Sequence, residues 1–331
     1  MQDFKAFRIH KTDSGIEARF EQLNIDDLSD GEVVIQVAYS GINYKDALAA
    51  TGKGAILRQY PLVGGIDLSG RVVSSTDPEF TPGQAVVVCG ANLSETVDGG
   101  YTEYARVSRE AVVPLPESIS LRDAMGIGTA GFTAAIAIDR MEQNGQTPEH
   151  GPIVVTGATG GVGSIAIDML SQRGYTVVAL SGKSSQSDYL TALGASEVRL
   201  RQEQDWGSRP LERAKWGGAI DNVGGDTLTW LTRTTLPWGN IAAIGLAGSV
   251  ELNTTVMPFI LRGVSLLGIN SVLLSAERRR AIWQRIATDL KPAHLDRIVT
   301  RETAFADLPQ AFDDYIDGAV TGRTLVNIHP E

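Results

Sequence analysis

The stretch Ile153-Val-Val-Thr-Gly-Ala-Thr-Gly-Gly-Val-Gly-Ser-Ile-Ala-Ile-Asp-Met-Leu170 restricts the fold more than any other part of the chain. Ile153, Val154 and Val155 form a short β-branched run of the kind that fills a parallel strand covered on both faces. Gly157, Gly160, Gly161 and Gly163 follow, and Ser164 opens a segment whose apolar positions are Ile165, Ile167, Met169 and Leu170. Strand, glycine turn and helix in this order make a dinucleotide-binding fingerprint. The missing side chains let a diphosphate approach the backbone. The helix N-terminus then offers it unpaired N–H groups and a positive dipole end. Glycine turns without a ligand also occur in α/β proteins, but the flanking strand and helix are both legible here and favour the dinucleotide.

The rest of the chain falls into two characters. Up to about residue 115, short strand-like runs alternate with Gly and Pro. They are Phe4–His10 and Ile16–Phe20 around Asp13-Ser-Gly15, then Glu32–Tyr39, Gly64–Val73, Gln84–Cys89 and Gly99–Val107. This pattern predicts a compact β-rich domain. Arg122–Met141 reads as a helix. From residue 153, strands at Tyr175–Leu180, Glu197–Leu200, Gly218–Val223 and Asn240–Leu246 alternate with helices at Ser187–Leu193 and Thr227–Leu236. That alternation predicts a doubly wound parallel sheet. Ala276–Leu290 is a long helix carrying Arg278-Arg-Arg280, and the tail reads as helix Asp307–Asp317 and strand Thr324–Ile328.

The second strand of a nucleotide fold decides between cofactors, because an acid at its end binds the ribose hydroxyls of NAD. Here Tyr175-Thr-Val-Val-Ala-Leu180 runs into Ser181-Gly-Lys183, with no Asp or Glu at the corner. A hydroxyl, a flexible glycine and a cation suit a 2′-phosphate, so NADPH is expected. Arg201, after the next strand, is a second candidate cation. The alternative for Lys183 and Arg201 is a solvated surface charge.

Charge and cysteine content narrow the chemistry. A net charge of −10 over 331 residues argues against general nucleic-acid binding. The single cysteine, Cys89, excludes an intrachain disulfide and a multi-cysteine zinc site; it reads as a buried strand-end thiol. None of His10, His150, His294 and His329 pairs with a Cys or carboxylate at ligand spacing, so no metal is expected. The N-terminus has no apolar signal region, and the longest apolar segment, Ala124–Ile138, is too short to span a bilayer. A cytoplasmic enzyme without membrane or nucleic-acid partners is expected, its chemistry supplied by the cofactor. The best polar cluster of the β-rich domain is Asn43-Tyr44-Lys45-Asp46. Asn43, Tyr44 and Asp46 are the catalytic candidates: Tyr44 is a plausible proton donor, or a structural tyrosine packed at a domain junction. Asp67, after a Gly-Gly turn, suits capping or turn stabilisation.

These features together resemble the medium-chain dehydrogenase/reductase superfamily. Gly41-Ile-Asn-Tyr-Lys-Asp46, Gly65-Ile-Asp-Leu-Ser-Gly70, Gly128-Thr-Ala-Gly-Phe-Thr133, Val155-Thr-Gly-Ala-Thr-Gly-Gly-Val-Gly-Ser164 and Thr255-Val-Met-Pro-Phe-Ile-Leu-Arg262 look like its zinc-independent acrylyl-CoA reductase group, also labelled quinone oxidoreductases. Where zinc relatives carry Gly-His-Glu, this chain has Gly65-Ile-Asp67. The resemblance implies a Rossmann-type doubly wound sheet over 123–271 and a β-rich GroES-like catalytic domain over 1–122 and 272–331. It implies NADPH contacts from Tyr44, Thr159, Gly160, Gly161, Val162, Ser181, Gly182, Lys183 and Arg201, and further contacts from Leu246, Ile260 and Ser271 on the nicotinamide side. It also implies a homodimer and a small-molecule substrate: a short unsaturated acyl-CoA, or a quinone or small enone, with a non-catalytic NADPH sensor as the alternative of another class. The chain departs from the pattern at Asp317, where Asn is expected, and at Lys53-Gly54, where related enoyl reductases place a tyrosine. Arg262 and Arg278–Arg280 are candidates for CoA phosphates, with a solvated helix face as the alternative for the arginine run.

Overall fold

The structure, a computed structural model, describes residues 3–330. In chain order, the N-terminal part holds β1 (Phe4–Thr12), β2 (Gly15–Leu23), β3 (Val33–Ile42), α1 (Tyr44–Thr51), β4 (Leu62–Val63), β5 (Asp67–Ser75), β6 (Ala85–Cys89), β7 (Tyr104–Val107), β8 (Val113–Pro114) and α2 (Leu121–Gln143). The middle holds β9 (Ile153–Thr156), α3 (Gly161–Gln172), β10 (Val177–Ser181), α4 (Ser187–Ala192), β11 (Glu197–Leu200), β12 (Trp216–Asp221), α5 (Gly225–Thr234), β13 (Thr235–Ala243), α6 (Met257–Arg262) and β14 (Ser265–Gly268). The tail adds α7 (Ala276–Ala287), α8 (Leu295–Ile298), β15 (Val299–Ala304), α9 (Leu308–Ile316) and β16 (Arg323–Asn327). The chain divides into two compact units. Unit 1 comprises Met1–Phe132, Ser271–Ala287 and Leu295–Glu331; unit 2 comprises Thr133–Asn270 and Thr288–His294.

Unit 2 carries a six-stranded sheet in the order β11-β10-β9-β12-β13-β14, every adjacent pair parallel. This is the doubly wound topology expected from the strand–helix alternation. Its strand order reverses between β9 and β12, where such folds bind ligands beyond the strand C-termini. Ile153, Val154 and Val155 are at most 1% exposed, as their β-branched run demands. β13 begins at Thr235, earlier than the expected Asn240, so the preceding helix ends at Thr234. The short α6 and β14 carried no clear periodic signal.

Unit 1 is built on β-structure. A sheet in the order β15-β16-β3-β5-β6-β8, with β7 also on β3, accompanies a smaller sheet β2-β1-β4. Its main core sets Val33, Ile35 and Val37 of β3 against Leu68, Val86 and Val88, which accounts for the alternation seen in β3. A second core gathers Phe4, Phe7, Tyr101, Phe305 and Phe312.

The expected single helix over Arg122–Met141 is broken. Gly128 inside α2 has φ 51° and ψ −161°. A Cβ there would lie 2.3 Å from Arg323 Nη2 and 2.7 Å from Asp67 Oδ2. Only glycine tolerates both the conformation and the space.

Candidate functional site

The glycine turn of unit 2 is shaped by close backbone approach. Gly160 is the N-cap of α3. A Cβ on Gly163 would meet Gly157 O at 2.5 Å, so this glycine sets the packing of helix against strand. The first N–H groups of α3 have no acceptor within the helix. At the C-terminal ends of β9 and β12, Thr156 Oγ1 donates to Asp221 Oδ1 (2.6 Å), and the Asn222 N–H donates to Thr156 Oγ1 (2.9 Å). With the backbone pairing of β9 and β12, these bonds fix the ends of the two strands at the point where the strand order reverses. Thr159 is 8% exposed, Gly160 is exposed, and Gly161 and Val162 are half-buried.

Gly182 and Arg201 line one pocket of about 570 Å³, with Trp206, Gly224, Asp226 and Glu251 among its other walls. The exposed Arg201 thus sits beside the corner that follows β10. Ser181 is 2% exposed, and its Oγ accepts the Lys183 N–H at 2.9 Å. That hydroxyl shapes the corner. Trp206, Gly224 and Gly225 were not anticipated. Trp206 stands edge-on to Trp230 at 5.5 Å. The glycine pair in Asn222-Val-Gly-Gly-Asp226 carries positive φ at both positions, and two glycines straight after a strand were the signal that could have located it. Leu246 and Ile260 are 65% and 73% exposed and do not line this pocket. Ser271 lies in unit 1, its carbonyl against Gly90.

Unit 1 holds the polar cluster. Asn43 is the N-cap of α1 and Tyr44 its first residue. Tyr44 is 47% exposed. Asp46 is 2% exposed. Its Oδ2 accepts the Asn43 N–H (2.8 Å) and Asn43 Nδ2 (3.1 Å), and its Oδ1 accepts the Ile66 N–H (3.0 Å). The first of these bonds is the return arm of a capping box. Burial, and then the charge of Asp67, push the Asp46 carboxyl up to about 7.

Asp67, fully buried, accepts the Gly41 N–H (3.1 Å), Asn43 Nδ2 (3.2 Å) and the Thr129 N–H (2.8 Å). Arg323 donates to the carbonyls of Ile42 (3.1 Å), Met125 (3.3 Å) and Gly126 (3.2 Å), donates to Asn43 Oδ1 (2.9 Å), and lies 3.6 Å from Asp67 Oδ2. The break in α2 explains the arrangement. The guanidinium satisfies carbonyls where the first half of the helix ends, and the carboxylate caps the N–H where the second half begins. The capping expected of Asp67 is what it does here. Arg323 had no local signal in the sequence.

Asn43 and Asp46 therefore spend their polar atoms on one another, on Asp67 and on Arg323. These bonds hold the start of α1, and Tyr44 alone of the three presents an exposed polar side chain. Two of the arginine candidates bond to carbonyls of the chain. Arg262 donates to the carbonyls of Arg233 (2.7 Å) and Glu212 (2.5 Å). Arg279 is 2% exposed and donates to Cys89 O (2.6 Å) and Val272 O (2.5 Å), so the arginine run is not wholly a solvated face. Arg280 pairs with Glu79. Cys89 is buried, as read, and its thiol is pushed up by burial and by Asp67.

Two family models match the chain: the alcohol dehydrogenase GroES-like domain over residues 29–117 and the zinc-binding dehydrogenase domain over residues 161–288. No group of three or more His, Cys, Asp or Glu able to hold a metal ion occurs among the described residues. A Bacillus subtilis protein named "Putative quinone oxidoreductase YhfP" is 47% identical over 326 residues, 98% of this chain and 99% of its own. The crystal structure of B. subtilis yhfP with NAD bound matches with a TM-score of 0.95 at 46% identity, over 99% of this chain and 100% of that one. The acrylyl-CoA reductase AcuI of Ruegeria pomeroyi is 44% identical over 314 residues, 95% of each chain. The crystal structure of Escherichia coli YHDH with bound NADPH matches with a TM-score of 0.93 at 44% identity, over 97% of this chain and 99% of that one. Identity at this level along nearly the whole length, on the same fold, shows that the chain belongs to the medium-chain dehydrogenase/reductase family, in the group that holds acrylyl-CoA reductase AcuI and quinone oxidoreductase YhfP.

Proposed function

We propose that the chain is an NADPH-dependent reductase of the carbon–carbon double bond in a short α,β-unsaturated acyl-CoA, converting acrylyl-CoA to propanoyl-CoA. The observation that carries this reading is the 44% identity to the R. pomeroyi acrylyl-CoA reductase over 95% of both chains. The residues present fit the cofactor. A turn in which Gly163 has no room for a Cβ opens α3, and a pocket walled by Arg201 lies beside Gly182. We assign the diphosphate to Thr159, Gly160, Gly161 and Val162 at the α3 N-terminus. The 2′-phosphate is assigned to Arg201 and Lys183 beside Gly182, and the nicotinamide side to Tyr44, Leu246, Ile260 and Ser271. Bound NADPH supplies a hydride for the β-carbon. Tyr44 is the residue assigned to the acceptor: its phenol donates to the thioester oxygen or delivers the proton that the α-carbon takes. Asn43 and Asp46 act beneath it by holding the start of α1.

A quinone or small-enone reductase is the second reading, favoured by the 47% identity to the B. subtilis quinone oxidoreductase-named relative. Incubating the purified chain and NADPH with acrylyl-CoA in one arm and a simple quinone in the other separates them. Faster loss of NADPH absorbance with acrylyl-CoA is expected. Far faster turnover of the quinone would sink the thioester reading, and tight binding without oxidation of either would make the chain a sensor. We further propose a homodimer formed through unit 2, which leaves Trp238, Met257, Ile260 and Leu261 exposed; a monomer in analytical ultracentrifugation would refute it. Among the described residues no helix is long and apolar enough to cross a membrane.

A further inference from the structure

The contacts proposed for the phosphates of NADPH are backbone and cations. Its adenine, a ring with two flat apolar faces, calls for a surface of another kind. The pocket beside Gly182 has one. Trp206, half-buried, is an aromatic wall of that pocket, and it follows Arg201 by five residues on the connection between β11 and β12. A Cβ on Gly182 would lie 3.9 Å from Arg201 Nη2, so the cation stands over the corner and the indole shares its pocket.

The indole is held from behind. Trp206 packs against Trp230 of α5 with ring centroids 5.5 Å apart and planes at 85°, and Trp230 packs against Trp216 of β12 at 5.9 Å and 60°. Trp230 and Trp216 are 3% and 4% exposed. The Arg199 guanidinium lies over the last ring of this row, 5.1 Å from its centroid. The segment that carries Trp206 is also tied to itself. The Gly207 N–H donates to Asp205 Oδ1 (3.0 Å), and the Ser208 and Arg209 N–H groups donate to Glu212 Oε1 (3.1 and 2.8 Å). A ring wedged in this way loses little freedom when a ligand covers it.

The remaining walls narrow the ligand. Gly224 and Gly225 both have positive φ, and a Cβ on Gly224 would lie 2.5 Å from Ser249 O, so this wall is bare backbone. Asp226 and Glu251 also line the pocket. Carboxylates repel an acidic aromatic ligand and accept from an exocyclic amine. An indole, a low backbone wall, amine acceptors and a nearby cation suit an aminopurine that carries a phosphate.

We propose that Trp206 is the stacking platform for the adenine of NADPH and sets the affinity of the chain for the adenosine half of the cofactor. The proposal rests on NADPH being the ligand of this pocket. It does not rest on the acceptor, nor on Arg201 being the residue that holds the 2′-phosphate.

Calorimetric titration of the full chain with 2′,5′-ADP and with 5′-AMP tests this, because neither probe carries nicotinamide and neither readout needs turnover. Trp206→Leu keeps apolar bulk against Trp230 but removes the aromatic plane, and should weaken both nucleotides by about tenfold. Trp206→Phe keeps a plane and should bind both within about threefold of the parent. It should also lose most of the fall in tryptophan emission that 5′-AMP causes in the parent, since the stacked indole is gone. Arg201→Ala should weaken 2′,5′-ADP alone. Unchanged binding of both nucleotides to Trp206→Leu overturns the proposal. A loss as large in Trp206→Phe as in Trp206→Leu overturns it too, because that is the mark of an indole needed only for packing. If Trp206→Leu weakens both probes and Trp206→Phe restores them while Arg201→Ala changes neither, the platform stands and the 2′-phosphate lies elsewhere.

Discussion

In unit 2 the proposed diphosphate site is backbone from one continuous stretch, Gly157–Ser164, whereas in unit 1 the polar network is side chains and backbone from four stretches around Asn43, Asp67, Gly128 and Arg323. The first needs glycines so that a ligand and a helix can come close to the main chain. The second needs particular side chains whose charges and hydrogen bonds must balance in the absence of water. A backbone site tolerates change in polar chemistry but not in volume, and a buried network the reverse.

The strongest break of that comparison is Arg323→Met. It leaves two buried acids without a cation and three carbonyls without their donor. A loss of about 3–5 kcal/mol is expected in urea denaturation at neutral pH. The double variant with Asp67→Asn should recover part of it. Loss of less than about 1 kcal/mol would show that the ion pair is as weak as one in solvent.

The network should also give the stability curve a pH dependence with an unusual sign. Asp46 is raised in the folded state to about 7 from an ordinary 3.8. Between those values the unfolded chain releases this proton and the native state keeps it. The contribution is therefore complete below about pH 4 and is lost as pH rises to about 7, at up to about 1.4 kcal/mol per pH unit from this group. Comparing parent and Asp46→Asn across that window isolates it. A parallel pair of curves would mean that Asp46 is ionised throughout.

Unit 2 responds to volume. Gly163→Ala places a Cβ 2.5 Å from Gly157 O and 2.8 Å from Ala158 Cα, both backbone atoms that cannot swing away. A cost of about 1–3 kcal/mol is expected, read as weaker NADPH binding by fluorescence titration. Gly160→Ala meets Gly157 O only at 3.3 Å and should cost less. Equal effects would mean that the turn is not set by this contact.

This difference in construction also decides what was legible from the residues alone. The glycine turn, its strand and its helix lie within twenty consecutive positions, so glycine spacing and apolar pattern together reported it. The alternation after residue 153 reported the parallel sheet for the same local reason. Asp67 was readable as a cap because a Gly-Gly turn precedes it. Its partner N–H on Thr129 was not, since nothing around Gly128 shows that a helical pattern is interrupted by a charge arriving from elsewhere. Arg323, on a terminal strand, and Arg279, in an arginine run on α7, look like surface residues until the fold buries them to 2% exposure.

The smallest expected effect tests the one place in unit 2 where side-chain chemistry, not volume, should matter. Arg201 walls the pocket beside Gly182, but so do Asp226 and Glu251, and carboxylates suit ribose hydroxyls better than a phosphate. The relatives divide in the same way, one solved with NADPH and one with NAD. If the 2′-phosphate is held by Arg201 and the Lys183 corner, Arg201→Ala should weaken NADPH by about tenfold, about 1.4 kcal/mol, and leave NADH nearly unchanged. Lys183→Ala should act in the same direction. A matching loss for both cofactors would assign these cations to the fold and not to the phosphate. A gain in NADPH affinity on Asp226→Asn or Glu251→Gln, with none for NADH, would show that the acids oppose the phosphate and that the balance of charges in this pocket sets the preference.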